Sequence, residues 1–351
     1  MQAAIAQAAE ILRAGGIVAF PTETVYGLGA DATNSSAVQK IFMAKERPAW
    51  DPLIVHVSDE AMLRRVARFV PERAQPLMEA FWPGPLTMLL EKSDAVASEV
   101  TAGLMRVGVR MPKHPVAQAL IRTAGLPLAA PSANRFGRIS PTTADHVLQD
   151  LDGRIDAVID AGPCPLGVES TVLDVCESPM VLYRPGAVTA EQIAALAGEV
   201  RVYRPEVDET AETSSLIAGS ASPGPGVASP GLEVRHYAPR AKLLLADSGD
   251  GDEGWRIRLR MLDLLHETVE RGQRAGLMLP QGWEFAPEDL PLEKRIFHWG
   301  SWESAESLAK GLFAGLRYLD SLGVDVIICP LPNHAGLGAA LQDRLRKAAQ
   351  S

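Results

Sequence analysis

Ile17-Val18-Ala19-Phe20 runs straight into Pro21-Thr22-Glu23-Thr24-Val25-Tyr26-Gly27-Leu28-Gly29. The opening residues are apolar and rich in β-formers, a run the length of one short strand. Proline, hydroxyls and glycines then break every periodicity, so a polar loop follows the strand directly. Loops carried on strand ends are where an α/β sheet places its chemistry. The pattern repeats outward: 53–57, 86–90, 107–110 and 156–160 are further predicted strands, and 35–45 is a predicted helix. In that helix Ser35 or Ser36 supplies the cap, while Val38, Ile41 and Phe42 recur at helical spacing. A twisted α/β sheet is expected.

Residues 1–16 read as an amphipathic helix stopped by Gly15-Gly16, since Glu10 and Arg13 interrupt any signal-like apolar core. No window approaches the ~18 apolar residues that span a bilayer, so a cytoplasmic protein without membrane contact is expected. The length of 351 residues suggests two domains, and 47% apolar with 22% charged residues allows each an ordinary core. A formal charge of −9 argues against a protein that coats nucleic acid through a basic surface. Cys164, Cys176 and Cys329 form no CxxC pair and leave an odd count, the usage of a reducing compartment.

Periodicity is lost over 206–231, where Ser222-Pro223-Gly224-Pro225-Gly226 and Ser229-Pro230-Gly231 mark a linker. Beyond it, predicted strands at 242–246, 276–279 and 324–329 alternate with predicted helices at 255–270, 304–322 and 337–348. That alternation implies βαβ units and a second, mostly parallel sheet. The expected division is 1–205, a linker over 206–239, and 240–351.

Several chemistries are excluded by missing motifs. No GxxxxGK[ST] occurs, so a nucleotide would not sit in a P-loop, and Gly336-Leu337-Gly338 lacks the third glycine of a dinucleotide fingerprint. There is no HExxH and no histidine–cysteine set at ligand spacing, so no protein-bound metal is expected. A GxSxG elbow is also missing, although residue spacing by itself leaves a Ser-His-Asp hydrolase open.

What remains is a set of proline- and glycine-bounded polar clusters. Lys45-Glu46-Arg47-Pro48 continues to Asp51-Pro52-Leu53-Ile54-Val55-His56, and Pro131-Ser132-Ala133-Asn134 continues to Ser140-Pro141-Thr142-Thr143. Glu169-Ser170-Thr171 is followed by Arg184-Pro185-Gly186. Lys45 lies on the inward face of its helix, at the negative end of the dipole. Taken alone it is a lysine whose stem packs while its amine reaches water. Arg47, held by Pro48, adds a bidentate fork and suits an anion site. Ser132 and Asn134 fit either phosphate contact or turn capping, and Thr142 fits a helix cap. Arg64, Arg65 and Arg68 fit a solvated helix face.

PTETVYGLG, the KxR of Lys45 and Arg47, PLIVH, FWPGPLT, VRMP, the SxN of Ser132 and Asn134, SPT, EST and YRPG occur in one order. This ordered set resembles the YrdC-type threonylcarbamoyl-adenylate synthases. SPG-x3-RHYAP at 229–239 and GLGxAxxDRLxKAA at 336–349 resemble the family's longer, two-domain branch. The resemblance implies a YrdC-like twisted α/β domain with a concave basic cavity, then the linker, then a smaller Rossmann-like α/β domain. It implies synthesis of threonylcarbamoyl-AMP and pyrophosphate from L-threonine, bicarbonate and ATP, for tRNA threonylcarbamoyladenosine.

By that resemblance Thr24, His56, Arg110, Ala130 and Ser170 match L-threonine positions. Lys45, Arg47, Asp51, Arg106, Ser132, Asn134, Ser140 and Arg184 match ATP positions, with Lys45 and Arg47 as the catalytic cations. Asp51 stands where the family commonly has asparagine, so it needs Mg2+ or a donor partner; Arg106 replaces a smaller polar residue. Mg2+ is expected to be held mainly by ATP phosphates. Arg235, His236 and Tyr237 are expected to form a lid. Implied partners are a downstream threonylcarbamoyl transferase complex and, transiently, tRNA. An RNA-binding module without catalysis and a carbamoyl transferase relative are the competing readings.

Overall fold

The structure is a computed structural model in which residues 1–204, 237–247, 254–284 and 295–350 are described. Strands β1 (Val18–Phe20), β2 (Gly27–Asp31), β3 (Ile54–His56), β4 (Ala67–Phe69), β5 (Leu86–Lys92), β6 (Arg106–Arg110), β7 (Leu128–Ala129), β8 (Ala157–Val158), β9 (Thr171–Asp174), β10 (Met180–Arg184) and β11 (Val200–Val202) form one sheet. Their order is β11-β10-β9-β5-β6-β3-β7-β2-β1-β8, with β4 paired to β5 off this path. Parallel and antiparallel pairs mix along it. A second sheet holds β12 (Lys242–Ala246), β13 (Ala275–Leu279), β14 (Ile296–His298) and β15 (Val326–Pro330) in the order β12-β15-β13-β14, parallel throughout.

Helices α1 (Gln2–Arg13), α2 (Ser35–Lys45), α3 (Glu60–Val66), α4 (Ala74–Phe81), α5 (Pro115–Ala124), α6 (Ala144–Leu151) and α7 (Ala190–Ala197) accompany the larger sheet. Helices α8 (Gly254–Glu270), α9 (Ala305–Ser321) and α10 (Gly338–Ala349) accompany the smaller. None among the described residues is long and apolar enough to cross a membrane.

Local chemistry corrects three expectations. Helix α2 is capped by Asn34, whose side chain accepts from the Ala37 amide, rather than by Ser35 or Ser36. Helix α6 is capped by Thr143, not Thr142, because Thr143 carries the extended backbone from which its side chain reaches the His146 amide. Arg64 and Arg65 lie on α3, but the helix gives way to β4 before Arg68, which instead pairs with Asp94 at 2.8 Å. The expected linker, with Arg235 and His236, lies outside the described residues except for its final residues from Tyr237.

The two sheets share an apolar seam. Val25, Ile139 and Val168 pack in one cluster with Tyr237, Leu308, Leu312 and Phe313. Gly167 permits the contact: its φ is +77°, and an added Cβ would lie 2.4 Å from the Ala309 carbonyl oxygen on α9. Arg317 crosses the seam from α9, giving a 2.7 Å bond to Asp150 and further bonds to the Ile139 and Ser140 carbonyls.

Candidate active site

Sheet register gathers the polar residues. β3 and β6 run parallel with His56 opposite Arg110, and β5 runs antiparallel to β6. β9 begins with Thr171 beside Leu86, and β10 ends at Arg184 opposite Val172. His56, Arg110, Ser170 and Arg184 therefore meet at one end of the strands. Farther along, Ser132 bridges Gly27. Between them lies a cavity walled by Thr22, Thr24, Arg47, His56, Arg110, Ala130, Ser132, Glu169, Ser170, Arg184 and Tyr237 among others.

The loop after β1 folds on its own hydroxyls. Thr22 Oγ accepts the Thr24 amide at 3.1 Å and donates to the Val25 carbonyl at 2.7 Å, which turns Thr24 inward. Arg110 donates Nη1 to Thr24 Oγ at 2.9 Å and Nε to the Gly84 carbonyl at 3.2 Å. Its Nη2 lies 2.7 Å from Glu23 Oε1, yet neither atom has a well-aligned hydrogen bond. The contact is thus a charge pairing more than a directional bond, and it leaves Nη2 donor capacity for a ligand. Beside it, burial first and the Arg110 charge second push the His56 imidazole down to about 3, so it is neutral at pH 7. Its Nδ1 is buried without a hydrogen-bond partner.

Arg184 donates Nε to the Ser170 carbonyl at 3.0 Å and Nη2 to Ser170 Oγ at 3.2 Å, and Thr87 Oγ lies 2.8 Å from the same hydroxyl. Burial pulls the Arg184 guanidinium below its ordinary value. Another part of the wall comes from the end of α2. Glu46 takes a left-handed φ of 54°, which stops the helix between Lys45 and Arg47. Lys45 Nζ donates to the carbonyls of Ser132, at 2.6 Å, and Asn134. Burial first and neighbouring Arg47 second pull this ammonium well below its usual value. Arg47 holds the carbonyls of Asp51 at 3.1 Å and Pro52 at 2.7 Å, and meets the Asp51 carboxylate at 2.8 Å. Asp51 thereby has a cationic neighbour, but neither of its carboxylate oxygens has a well-aligned hydrogen bond, and burial raises its carboxyl above the ordinary value.

Thr24, Arg47, His56, Arg110, Ala130, Ser132, Ser170, Arg184 and Tyr237 stand in the wall. Lys45, Asp51, Asn134 and Ser140 stand behind it: Asn134 ties the Arg135 and Arg138 carbonyls, and Ser140 donates to Glu169. Arg106 is apart from the rest. It begins β6 where Arg110 ends it, and its guanidinium faces Glu91, Asp174 and Glu177 at 3.6–4.0 Å. Glu169 and Thr22 are wall residues to which sequence reasoning gave no role, although both lie in the quoted clusters. The position of Glu169 one residue before Ser170 was the available signal.

Three arginines in the wall, Arg47, Arg110 and Arg184, with the Glu23 charge countered by Arg110, make the cavity suited to anionic groups. No group of three or more metal-ligating side chains occurs among the described residues.

Comparison with known proteins adds the family context. Residues 10–186 match a family model described as "Telomere recombination", the Sua5, YciO and YrdC family, and 188–350 match "Threonylcarbamoyl-AMP synthase, C-terminal domain". The chain is 40% identical to the threonylcarbamoyl-AMP synthase of Pyrococcus abyssi, over 97% of this chain and 92% of that one. It is 43% identical to that of Bacillus subtilis, over 98% and 92%. The crystal structure of P. abyssi Sua5 complexed with L-threonine superposes with a TM-score of 0.87 at 41% identity, covering 99% of this chain and 95% of that one.

Proposed function

The chain belongs to the family of threonylcarbamoyl-AMP synthases, and from that premise we propose how its cavity carries out the reaction. It is an ATP-using nucleotidyltransferase that makes threonylcarbamoyl-AMP. In the first step the threonine amine attacks carbon dioxide derived from bicarbonate; a C–N bond forms and a proton is lost, giving a carbamate. A carbamate oxygen then attacks the α-phosphorus of ATP. The bond from that phosphorus to the bridging oxygen breaks, and pyrophosphate leaves. The threonine carboxylate, the carbamate, ATP and pyrophosphate are all anionic, so the protein mainly has to assemble them against their repulsion.

Arg110 pairs with the threonine carboxylate, kept in place by Glu23 and Thr24. Thr24, Ser170 and neutral His56 bind the rest of the amino acid, and the Ala130 carbonyl faces its amine, since the Ala130 N–H already bonds Ile54. Arg47, Arg184 and Ser132 take ATP. Lys45, Asn134, Asp51 and Ser140 set those groups from behind, Lys45 by clamping the 132–134 loop. Nucleotide phosphates over that loop would also restore the proton affinity that burial removes from Lys45. Arg106, at the far end of β6, takes no part through its side chain. Glu23 is spent on Arg110 and Glu169 on Arg344, so the cavity provides no carboxylate cage; Mg2+ would enter held by ATP phosphates and water.

Tyr237 closes one side of the cavity, and excluding water there preserves a hydrolysable adenylate. A threonylcarbamoyl transferase complex acting on tRNA in the cytoplasm consumes the product, and transient tRNA contact fits that handover.

The observation that carries this reading is one cavity whose wall brings Arg110, Thr24 and His56 together with Arg47, Arg184 and Ser132. The test incubates the pure protein with threonine, bicarbonate and ATP. Pyrophosphate release that requires threonine is expected, and release indifferent to threonine would sink the reading.

A further inference from the structure

The last helix of the chain reaches the cavity wall. Glu169 lines the cavity beside Ser170 and Arg184. Its Oε2 accepts a bond from Arg344 Nε at 3.0 Å, and its Oε1 accepts one from Ser140 Oγ at 2.5 Å. The Arg344 side chain is fully buried, and its Nη1 donates to the Pro185 carbonyl at 2.9 Å, directly after Arg184. The guanidinium lies 5.5 Å from the centroid of the Tyr237 ring. Arg344 also touches Asp343 at 2.7 Å, but Lys347 offsets that carboxylate at 2.9 Å. The charge of Arg344 is therefore left to balance Glu169.

A bare carboxylate in this wall would repel both the triphosphate and the threonine carboxylate. We propose that Arg344 is a positioning residue for adenylate synthesis. From the second domain it cancels the charge of Glu169, beside Arg184 of the first domain, and holds Ser140 through it. This rests on the reading of the cavity as the ATP and threonine site.

The test measures ATP binding by calorimetry on the full chain, beside KM and kcat for pyrophosphate release. Arg344→Met leaves Glu169 ionised and is expected to weaken ATP binding by roughly tenfold or more, with kcat at saturation changed less than about threefold. If charge is the cause, Arg344→Met/Glu169→Gln binds ATP within about threefold of Glu169→Gln alone. A double variant as weak as Arg344→Met overturns the proposal and makes Arg344 a docking contact only. Wild-type ATP affinity in Arg344→Met overturns it too. Should Arg344→Met not fold, Arg344→Lys decides: a retained charge keeps binding within about threefold of wild type, and a loss of about tenfold overturns the proposal. Failure of the functional reading looks different, because ATP would bind with this coupling while pyrophosphate release ignored threonine.

Discussion

His56 is the residue whose charge state the fold sets most clearly, because burial and Arg110 together forbid the imidazolium. Its folded value, about 3, lies below the ordinary 6.5, so between those limits the unfolded chain binds more protons. Stability therefore falls as pH drops through that window, by roughly 1.4 kcal/mol per unit from this group. Urea unfolding at about pH 7 and about pH 5 should show a steeper loss in wild type than in His56→Asn; parallel losses would remove His56 as the cause. Arg110 makes a complementary prediction. Arg110→Met strands Glu23 and should cost about 3 kcal/mol of stability, together with roughly a hundredfold rise in the KM for threonine. Adding Glu23→Gln should return most of the stability and none of the threonine affinity, and recovery of both would deny Arg110 a ligand role. His56 and Arg110 entered the candidate set through the motifs PLIVH and VRMP of the family resemblance, and both line the cavity. Glu169 was visible but its role was not, since its partner Arg344 is 175 residues away.

Among the elements, β2 shows where sequence reading failed and why. Its Gly27 and Gly29 argue against a strand by propensity, yet Gly27–Asp31 pairs with both β1 and β7. Tertiary pairing wins because Gly29 makes room: a Cβ there would lie 2.7 Å from Phe20 Cε1. Phe20 in turn meets His56 edge to face at 6.3 Å, so the glycine supports the site through one ring. Gly29→Ala should cost about 1–3 kcal/mol by overpacking and lower turnover through His56. Gly29→Ala/Phe20→Leu should regain stability, and a thermal midpoint unchanged from Gly29→Ala would show that the clash lies elsewhere. Helix α2, by contrast, was legible to its last residue, because its buried Val38 and Ile41 repeat at helical spacing.

Across the whole molecule, the second domain was legible as alternating strands and helices but not as part of the site. Periodicity reports which faces are apolar; it does not report that single arginines will cross a seam. Arg317 is the second such crossing. It is 9% exposed, and it binds Asp150, Gln149 and the carbonyls of Ile139 and Ser140. Ser140 in turn holds Glu169, so the arginines of α9 and α10 grip the same piece of cavity wall from two sides. Removing Arg317 leaves Asp150 unpaired and two buried carbonyls without their donor, a loss of about 3–5 kcal/mol concentrated at the seam. Arg317→Met should therefore separate a single unfolding transition into two, the domains no longer melting as a unit. Calorimetry would test this, and Arg317→Met/Asp150→Asn should draw the transitions back together. A variant that still melted in one step at the wild-type temperature would mean that the apolar packing of Phe313, Tyr237 and Val168 alone couples the domains.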